Sequence, residues 1–218
     1  MGVPDSQETM SSPASAAGSP RTEQRRRAIL DVASQAFLED GFAATSMSSI
    51  ASRLGGSKAT LYSYFRSKED LFSAFMTDAC GGPANVLFEH LSPISGEVRT
   101  TLVELGVAYV RFNLSDPVTA IHRLVVAEAG RFPAIGRLFY ETGPMKGEQR
   151  LRDYFAVATS DGHLRRADPT AMARRFRDLS LSDIYTRRLW GVVGETDDAE
   201  VRASVAEGVD IFLAYYGS

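Results

Sequence analysis

The sequence predicts an all-α fold, a small N-terminal helical unit followed by a larger helical body, and three observations carry that expectation. Apolar residues recur at intervals of three and four from Thr22 towards the C-terminus, the period of a helix that buries one face. No segment sustains the alternation of apolar and polar residues that a half-buried strand would show. Glycines, prolines and short hydroxyl or acidic residues punctuate the periodic runs, where helices start and stop.

The first helix is read in TEQRRRAILDVASQAFLEDGF, which sets Ile29, Ala33, Ala36 and Phe37 on one face. Gly41 stands where a left-handed helix end is expected. In TSMSSIASRLGG, Thr45 or Ser46 is the N-cap, Met47, Ile50, Ala51 and Leu54 form the apolar stripe, and Gly55 ends the second helix. A third, barely two turns long, is expected from Lys58 to about Phe65; so short a helix is stable only when neighbours hold it. In SKEDLFSAFMTDAC, Ser67 and Asp70 resemble a capping box, and Leu71, Phe72, Phe75 and Met76 form the buried stripe of the fourth.

Past Gly81, Gly82 and Pro83 the period stays helical, with helices expected near 84–91, 97–114, 117–130, 134–142, 145–160, 169–191 and 198–216. Pro117 and Pro169 each follow an aspartate, the pattern of a capped first turn. The domain division is then a tail over 1–20, a small helical unit over 21–68 and a larger helical body over 69–218. The tail is rich in Ser, Ala, Gly and Pro and poor in large apolar residues, a composition that favours disorder.

Charge follows the same division. Residues 21–68 hold eight Lys/Arg against four Asp/Glu, whereas residues 69–218 hold sixteen against twenty-one, as expected if the N-terminal unit meets a polyanion and the body does something else. Cys80 is the only cysteine, so no intrachain disulfide can form and a reducing cytoplasm fits best. No apolar run reaches the roughly 18 to 20 residues of a membrane span.

The chemistry-bearing stretch is GGSKATLYSYFRSKEDLF, residues 55–72. On a wheel from Lys58, Leu61 and Phe65 point together and would seal the short helix, while Ala59, Thr60 and Ser63 lie opposite, flanked by Tyr62 and Tyr64. Small residues allow close approach to a groove, and hydroxyls can bond phosphates or base edges. Lys58 and Lys68, each at a helix start, are placed to hold phosphates. With the preceding helix and its glycine-containing turn, the stretch makes a helix-turn-helix.

With those residues in place, the span Thr22 to Met76 resembles the DNA-binding unit of the TetR family of bacterial repressors. The resemblance implies that Thr45, Ser46 and Ser48 contact phosphate at the start of the second helix. It also implies that Lys58, Ala59, Thr60, Tyr62, Ser63 and Tyr64 form the recognition helix, with Tyr62 on phosphate, and that Lys68 clamps the duplex. Gly56 departs from the apolar β-branched residue common in the family, and Ser48 is shorter than the side chain often found there. RLVVAEAGRFPAIGRLFYETGP and DGHLRRADP are similar to the AefR-like class of TetR C-terminal domains. The resemblance implies a homodimer on a palindromic double-stranded DNA operator, with 69–218 as the helical effector-binding and dimerisation domain; together with the aromatics of that body it points to a small apolar effector, and no motif calls for a cofactor.

For the effector, the residues nominated are Tyr109, Phe112, His122, Phe139, Phe176 and Trp190; a plain core would show the same spacing. For the dimer, the last two helices present Met172, Phe176, Leu179 and Leu189, and Val201, Val205, Val209 and Phe212, with Tyr185, Ile211 and Tyr215 beside the stripes. The interface is expected at Met172, Phe176, Val205, Val209 and Phe212, unless both stripes are used within the monomer. Catalysis is not expected. A helix precedes Ser57 where a nucleophile elbow needs a strand, and His90, His122, His163 and Cys80 lack metal-ligand spacing. The alternative reading is a helical small-molecule-binding or scaffold protein without operator activity.

Overall fold

The structure, a computed structural model, describes residues 19–81, 97–194 and 196–218. The tail expected over 1–20 lies outside these residues except for its last two, and the helix expected near 84–91 and His90 lie outside them too. The described residues form α1 (Pro20–Ala44), α2 (Met47–Arg53), α3 (Lys58–Tyr64), α4 (Lys68–Met76), α5 (Val98–Leu114), α6 (Asp116–Ala129), α7 (Pro133–Thr142), α8 (Pro144–Ser160), α9 (Pro169–Leu189) and α10 (Asp198–Tyr216). A single π-type turn, Thr77–Gly81, continues α4. The all-α expectation holds. Among the described residues no helix is long and apolar enough to cross a membrane.

Caps define the N-terminal helices. Ser46 and Ser49 cap α2 reciprocally, each hydroxyl accepting the other's backbone N–H at 3.0 Å. Ser57 accepts from Thr60 N at 3.1 Å and Ser67 from Asp70 N at 3.0 Å, so three serines in turn satisfy N–H groups that helix geometry leaves without partners. Asp70 reaches back to the N–H of Arg66 rather than of Ser67, which shifts the expected capping box by one residue. Gly41 adopts φ 81° and interrupts α1, as its position predicts, but one further turn follows it. In α9, Ser182 stands at φ 42°, ψ −151° and breaks the helix into two segments; no glycine or proline marks this break in the sequence.

Two apolar cores organise the molecule. In the first, the fourth helix's Leu71, Phe72, Phe75 and Met76 meet Phe37 and Phe42 of α1, and the cluster continues into Val118, Ile121 and Val125 of α6 and Ile135 of α7. Phe37 and Phe72 pack edge to face at 5.0 Å between centroids, a favoured aromatic geometry. The second core joins α5, α8, α9 and α10 around Phe155, Phe176 and Phe212. Helices α9 and α10 approach so closely at Gly208 that a Cβ there would lie 2.7 Å from the carbonyl oxygen of Leu179.

The second core corrects the expected dimer interface. Met172, Phe176, Val205, Val209 and Phe212 are all buried inside the protomer. Phe212 packs against Phe155, Phe176 and Tyr216. The stripes of α9 and α10 face each other and α5 within one chain, which is the alternative the sequence left open. What α10 turns outward is Ile211 and Tyr215, 53% and 62% exposed.

Candidate DNA-binding interface

The site is built on α3, whose seven residues could not hold a helix alone. Its anchor is Leu61, 0% exposed, with Phe65 buried just beyond its C-terminus. Arg26 of α1 lies over the Phe65 ring at 5.4 Å, close enough for a cation–π contact. The turn before α3 uses Gly55 at φ 64°, a conformation that glycine adopts without steric cost. A Cβ at Gly56 would meet the Arg25 guanidinium at 3.1 Å, so an arginine from α1 occupies the space that a β-branched side chain would take. Arg53 ties α2 to α1 through Glu39 at 3.0 Å and Asp40 at 2.6 Å. Hydrogen bonds from Gln35 and Arg53 hold the Glu39 carboxyl below its ordinary range.

Opposite the anchor, α3 presents Lys58, Ala59, Tyr62 and Ser63 to solvent, with Thr60 half-buried. Tyr62 is 48% exposed although it is a large aromatic. Ser63 donates to the carbonyl of Thr60 at 2.7 Å, and Thr60 shares a hydrogen bond with Ser57 at 3.0 Å. Those bonds hold the hydroxyls and leave each oxygen with acceptor capacity. Tyr64 packs partly against the first core, so the two tyrosines differ in what they can reach. Ser46 and Ser48 are exposed at the start of α2. Arg66, which the sequence reading did not nominate, is exposed between α3 and α4; its place beside Lys68 was the available signal.

Thr45, nominated for phosphate, is corrected, and Lys68 is partly engaged within the unit. Thr45 is buried, and its hydroxyl donates to Ala36 O at 3.1 Å and Gly41 O at 2.7 Å. Its side chain therefore serves the junction of α1 and α2. The Lys68 ammonium donates to Phe42 O at 2.7 Å and Thr45 O at 2.9 Å, and stands 4.1 Å from the Phe42 ring centroid. Two of the ammonium's three N–H donors are thus engaged inside the unit.

The nominated effector residues do not gather in one place. His122 of α6 and Phe139 of α7 meet at 4.9 Å between ring centroids, and Tyr185 of α9 joins them. The Tyr185 hydroxyl lies 2.6 Å from His122 Nδ1. Burial pushes His122 down to about 4 and raises Tyr185, so a neutral imidazole and a protonated phenol share this hydrogen bond, its direction set by the imidazole tautomer. Tyr109 is buried, its hydroxyl pushed up to about 12 by that burial, and Phe112 packs against the first core. Phe176 belongs to the second core, and Trp190 is 75% exposed at the end of α9. A cleft of about 410 Å³ opens beside Arg111, Ser115, Asp116, Arg188, Thr196 and Asp198. None of the six effector candidates lines it.

The likeness to known proteins follows this division. Residues 29–75 match the bacterial regulatory proteins of the tetR family, and residues 100–218 match the C-terminal domain of AefR-like transcriptional repressors. A structure from Mesorhizobium loti MAFF303099, assigned to the TetR-family transcriptional regulators, is 26% identical with a TM-score of 0.80, covering 91% of this chain and 99% of that one. The flavonoid-responsive regulator FrrA is 31% identical with a TM-score of 0.76, over 89% of this chain and 98% of its own. The uncharacterised HTH-type transcriptional regulator YhgD of Bacillus subtilis (strain 168) is 36% identical over 53 residues, which is 24% of this chain and 28% of that protein. A helix-turn-helix seated on a helical body, with both parts matched over most of their length, identifies the chain as a member of the TetR family of transcriptional regulators, with an AefR-like C-terminal domain.

Proposed function

We propose that the protein is a dimeric repressor that sets α3 of each protomer into successive major grooves of a palindromic operator, in the bacterial cytoplasm. The observation that carries this reading is the division of α3 into two faces. Leu61 fixes the helix from beneath, and Lys58, Ala59, Thr60, Tyr62 and Ser63 form a small, hydroxyl-rich and cationic face above. On that reading Lys58, Tyr62, Ser46, Ser48 and Arg66 meet phosphate, which sets affinity and its salt dependence. Thr60 and Ser63 meet base edges, which sets sequence preference. Residues 21–68 are the reading unit, and α4 joins it to the body.

The dimer forms through the outward edge of α10, where Ile211 and Tyr215 lie exposed beside Ala214. Two-fold symmetry then matches the palindrome, with the recognition helices about one turn of DNA, roughly 34 Å, apart. An apolar effector acts at the body near His122, Phe139 and Tyr185. FrrA's description as flavonoid-responsive makes planar polyphenols the first probes. A ligand releases the operator only by favouring an arrangement of the two reading units that fits it less well.

Fluorescence anisotropy on the DNA flanking the gene, titrated with salt, tests the reading. Lys58→Ala should weaken binding across sequences and lower the salt slope by about one unit. Tyr62→Phe should weaken binding without changing the slope. If both variants bind like the wild type, the face assigned to DNA is wrong.

A further inference from the structure

We propose that Glu128, in the last turn of α6, is a positioning residue for operator binding. Its carboxylate latches the joint between α1 and α2 and so sets the pose of the reading helices on the body. The proposal rests on the DNA-reading role given to α3 above.

The joint is the stretch from Gly41 to Thr45. Because Gly41 leaves helical geometry at φ 81°, ψ 165°, the turn after it starts anew, and N–H groups at a fresh helical start lack acceptors in their own helix. The N–H of Ala43 donates instead to Glu128 Oε1, 85 residues away in the chain, at 3.1 Å. The same oxygen lies 2.8 Å from where a Cβ on residue 41 would stand. Glycine at 41 therefore supplies both the left-handed backbone and the room for the carboxylate.

Nothing in α6 itself favours an acid there, since the negative end of a helix repels a carboxylate in its last turn. The compensating contact lies across the interface, on α1. The backbone of Glu128 contributes as well: its carbonyl accepts from Arg131 N at 3.0 Å and Phe132 N at 2.8 Å. The Phe132 ring then packs edge-on against Phe42 at 5.5 Å. One residue thus ends α6, sets the start of α7 and holds α1.

Three side chains fix the joint, and they come from different parts of the molecule. Thr45 holds it to α1 and Lys68 holds it from α4; both belong to the N-terminal unit. Glu128 is the one of the three that belongs to the body. Ser46, the next residue after the joint, caps α2, so a tilt at the joint is passed directly to α2 and α3. Loss of Glu128 should leave the helix-turn-helix folded while loosening its angle to the body. In a dimer, that angle sets the separation of the two reading helices.

The test compares wild type, Glu128→Ala and Glu128→Gln, since glutamine keeps an acceptor oxygen and alanine does not. Amide exchange at Ala43, measured without DNA, should speed up in Glu128→Ala and stay near wild type in Glu128→Gln. Affinity is then measured for operators whose half-sites are moved apart or together by one base pair. Wild type and Glu128→Gln should discriminate among spacings. Glu128→Ala should bind the native spacing about tenfold more weakly, as loss of a hydrogen bond to a charged acceptor predicts, and should discriminate less. Unchanged Ala43 exchange in Glu128→Ala would overturn the latch, whatever the DNA result. So would an equal loss at every spacing accompanied by a lowered melting temperature, because that is a structural defect only. A wild type with no affinity for DNA would overturn the reading role, a result distinct from the exchange measurement.

Discussion

His122 supplies a pH dependence whose sign and size follow from its surroundings. Its ring sits between Phe139 and Tyr185, its Nδ1 shares a 2.6 Å hydrogen bond with the Tyr185 hydroxyl, and burial lowers it from 6.5 to about 4. Below pH 6.5 the unfolded chain gains a proton that the folded chain still refuses, so stability falls as pH falls. The loss begins near pH 6.5, and is complete once pH drops below about 4, where the folded state is protonated too. One pH unit of such a difference is worth about 1.36 kcal/mol. The folded protein should therefore lose about 2 kcal/mol through this one residue between pH 7.5 and pH 5, and about 3 kcal/mol in full. Glutamine in its place does not titrate and can still hydrogen-bond Tyr185 as donor or acceptor. Urea denaturation of wild type and His122→Gln at pH 7.5 and pH 5 isolates the effect, because the carboxylates common to both cancel. The wild type should lose about 2 kcal/mol more than the variant over that interval. Equal losses would show that the imidazole is protonated in the folded protein near its ordinary value.

Further expectations follow from packing. Leu61→Ala removes the buried anchor of a two-turn helix and should cost about 3 kcal/mol in denaturant, with DNA affinity falling in parallel; a loss below about 1 kcal/mol would show that α3 is held by something else. Gly208→Ala sets a methyl group 2.7 Å from the Leu179 carbonyl, a clash with backbone that should force α9 and α10 apart at a cost of about 1–3 kcal/mol. A thermally neutral variant would refute that close approach. Ile211→Asp puts a charge on the outward edge of α10 and should give a folded monomer in sedimentation, with operator affinity lost. A dimer that persists would move the interface off this edge.

Much of the N-terminal unit was legible because its signals are local. Gly41, Ser46, Gly55 and Ser67 each act on residues within a few positions, and Leu61 with Phe65 marks the buried side of α3 by spacing alone. Side-chain commitments across the chain were not legible. The acceptors for Lys68 lie 23 and 26 residues earlier, and a lysine at a helix start looks the same whether its ammonium turns outward or inward. Thr45 and Ser46 both read as caps, but the Thr45 hydroxyl turns back to α1 while Ser46 takes the cap. The stripes of α9 and α10 showed correctly that these helices bury apolar faces. Periodicity does not say whether the partner is the same chain or a second one, and here Phe212 meets Phe155 and Phe176. The break at Ser182 left no trace in composition, since serine carries no signal for a positive φ. Nothing in the sequence sets Glu128 apart from the chain's other acids, and only the fold brings it to Ala43.

The central claim is that the outward face of α3 reads bases while its inward face only holds the helix in place. Binding-site selection from random duplex DNA, run in parallel on wild type, Thr60→Ala and Ser63→Ala, tests it most directly. The wild type should yield a palindromic consensus with half-sites about one helical turn apart, and each variant a preference altered at the same position of both half-sites. A wild type that enriches no sequence, or variants that recover an unchanged consensus, would contradict it.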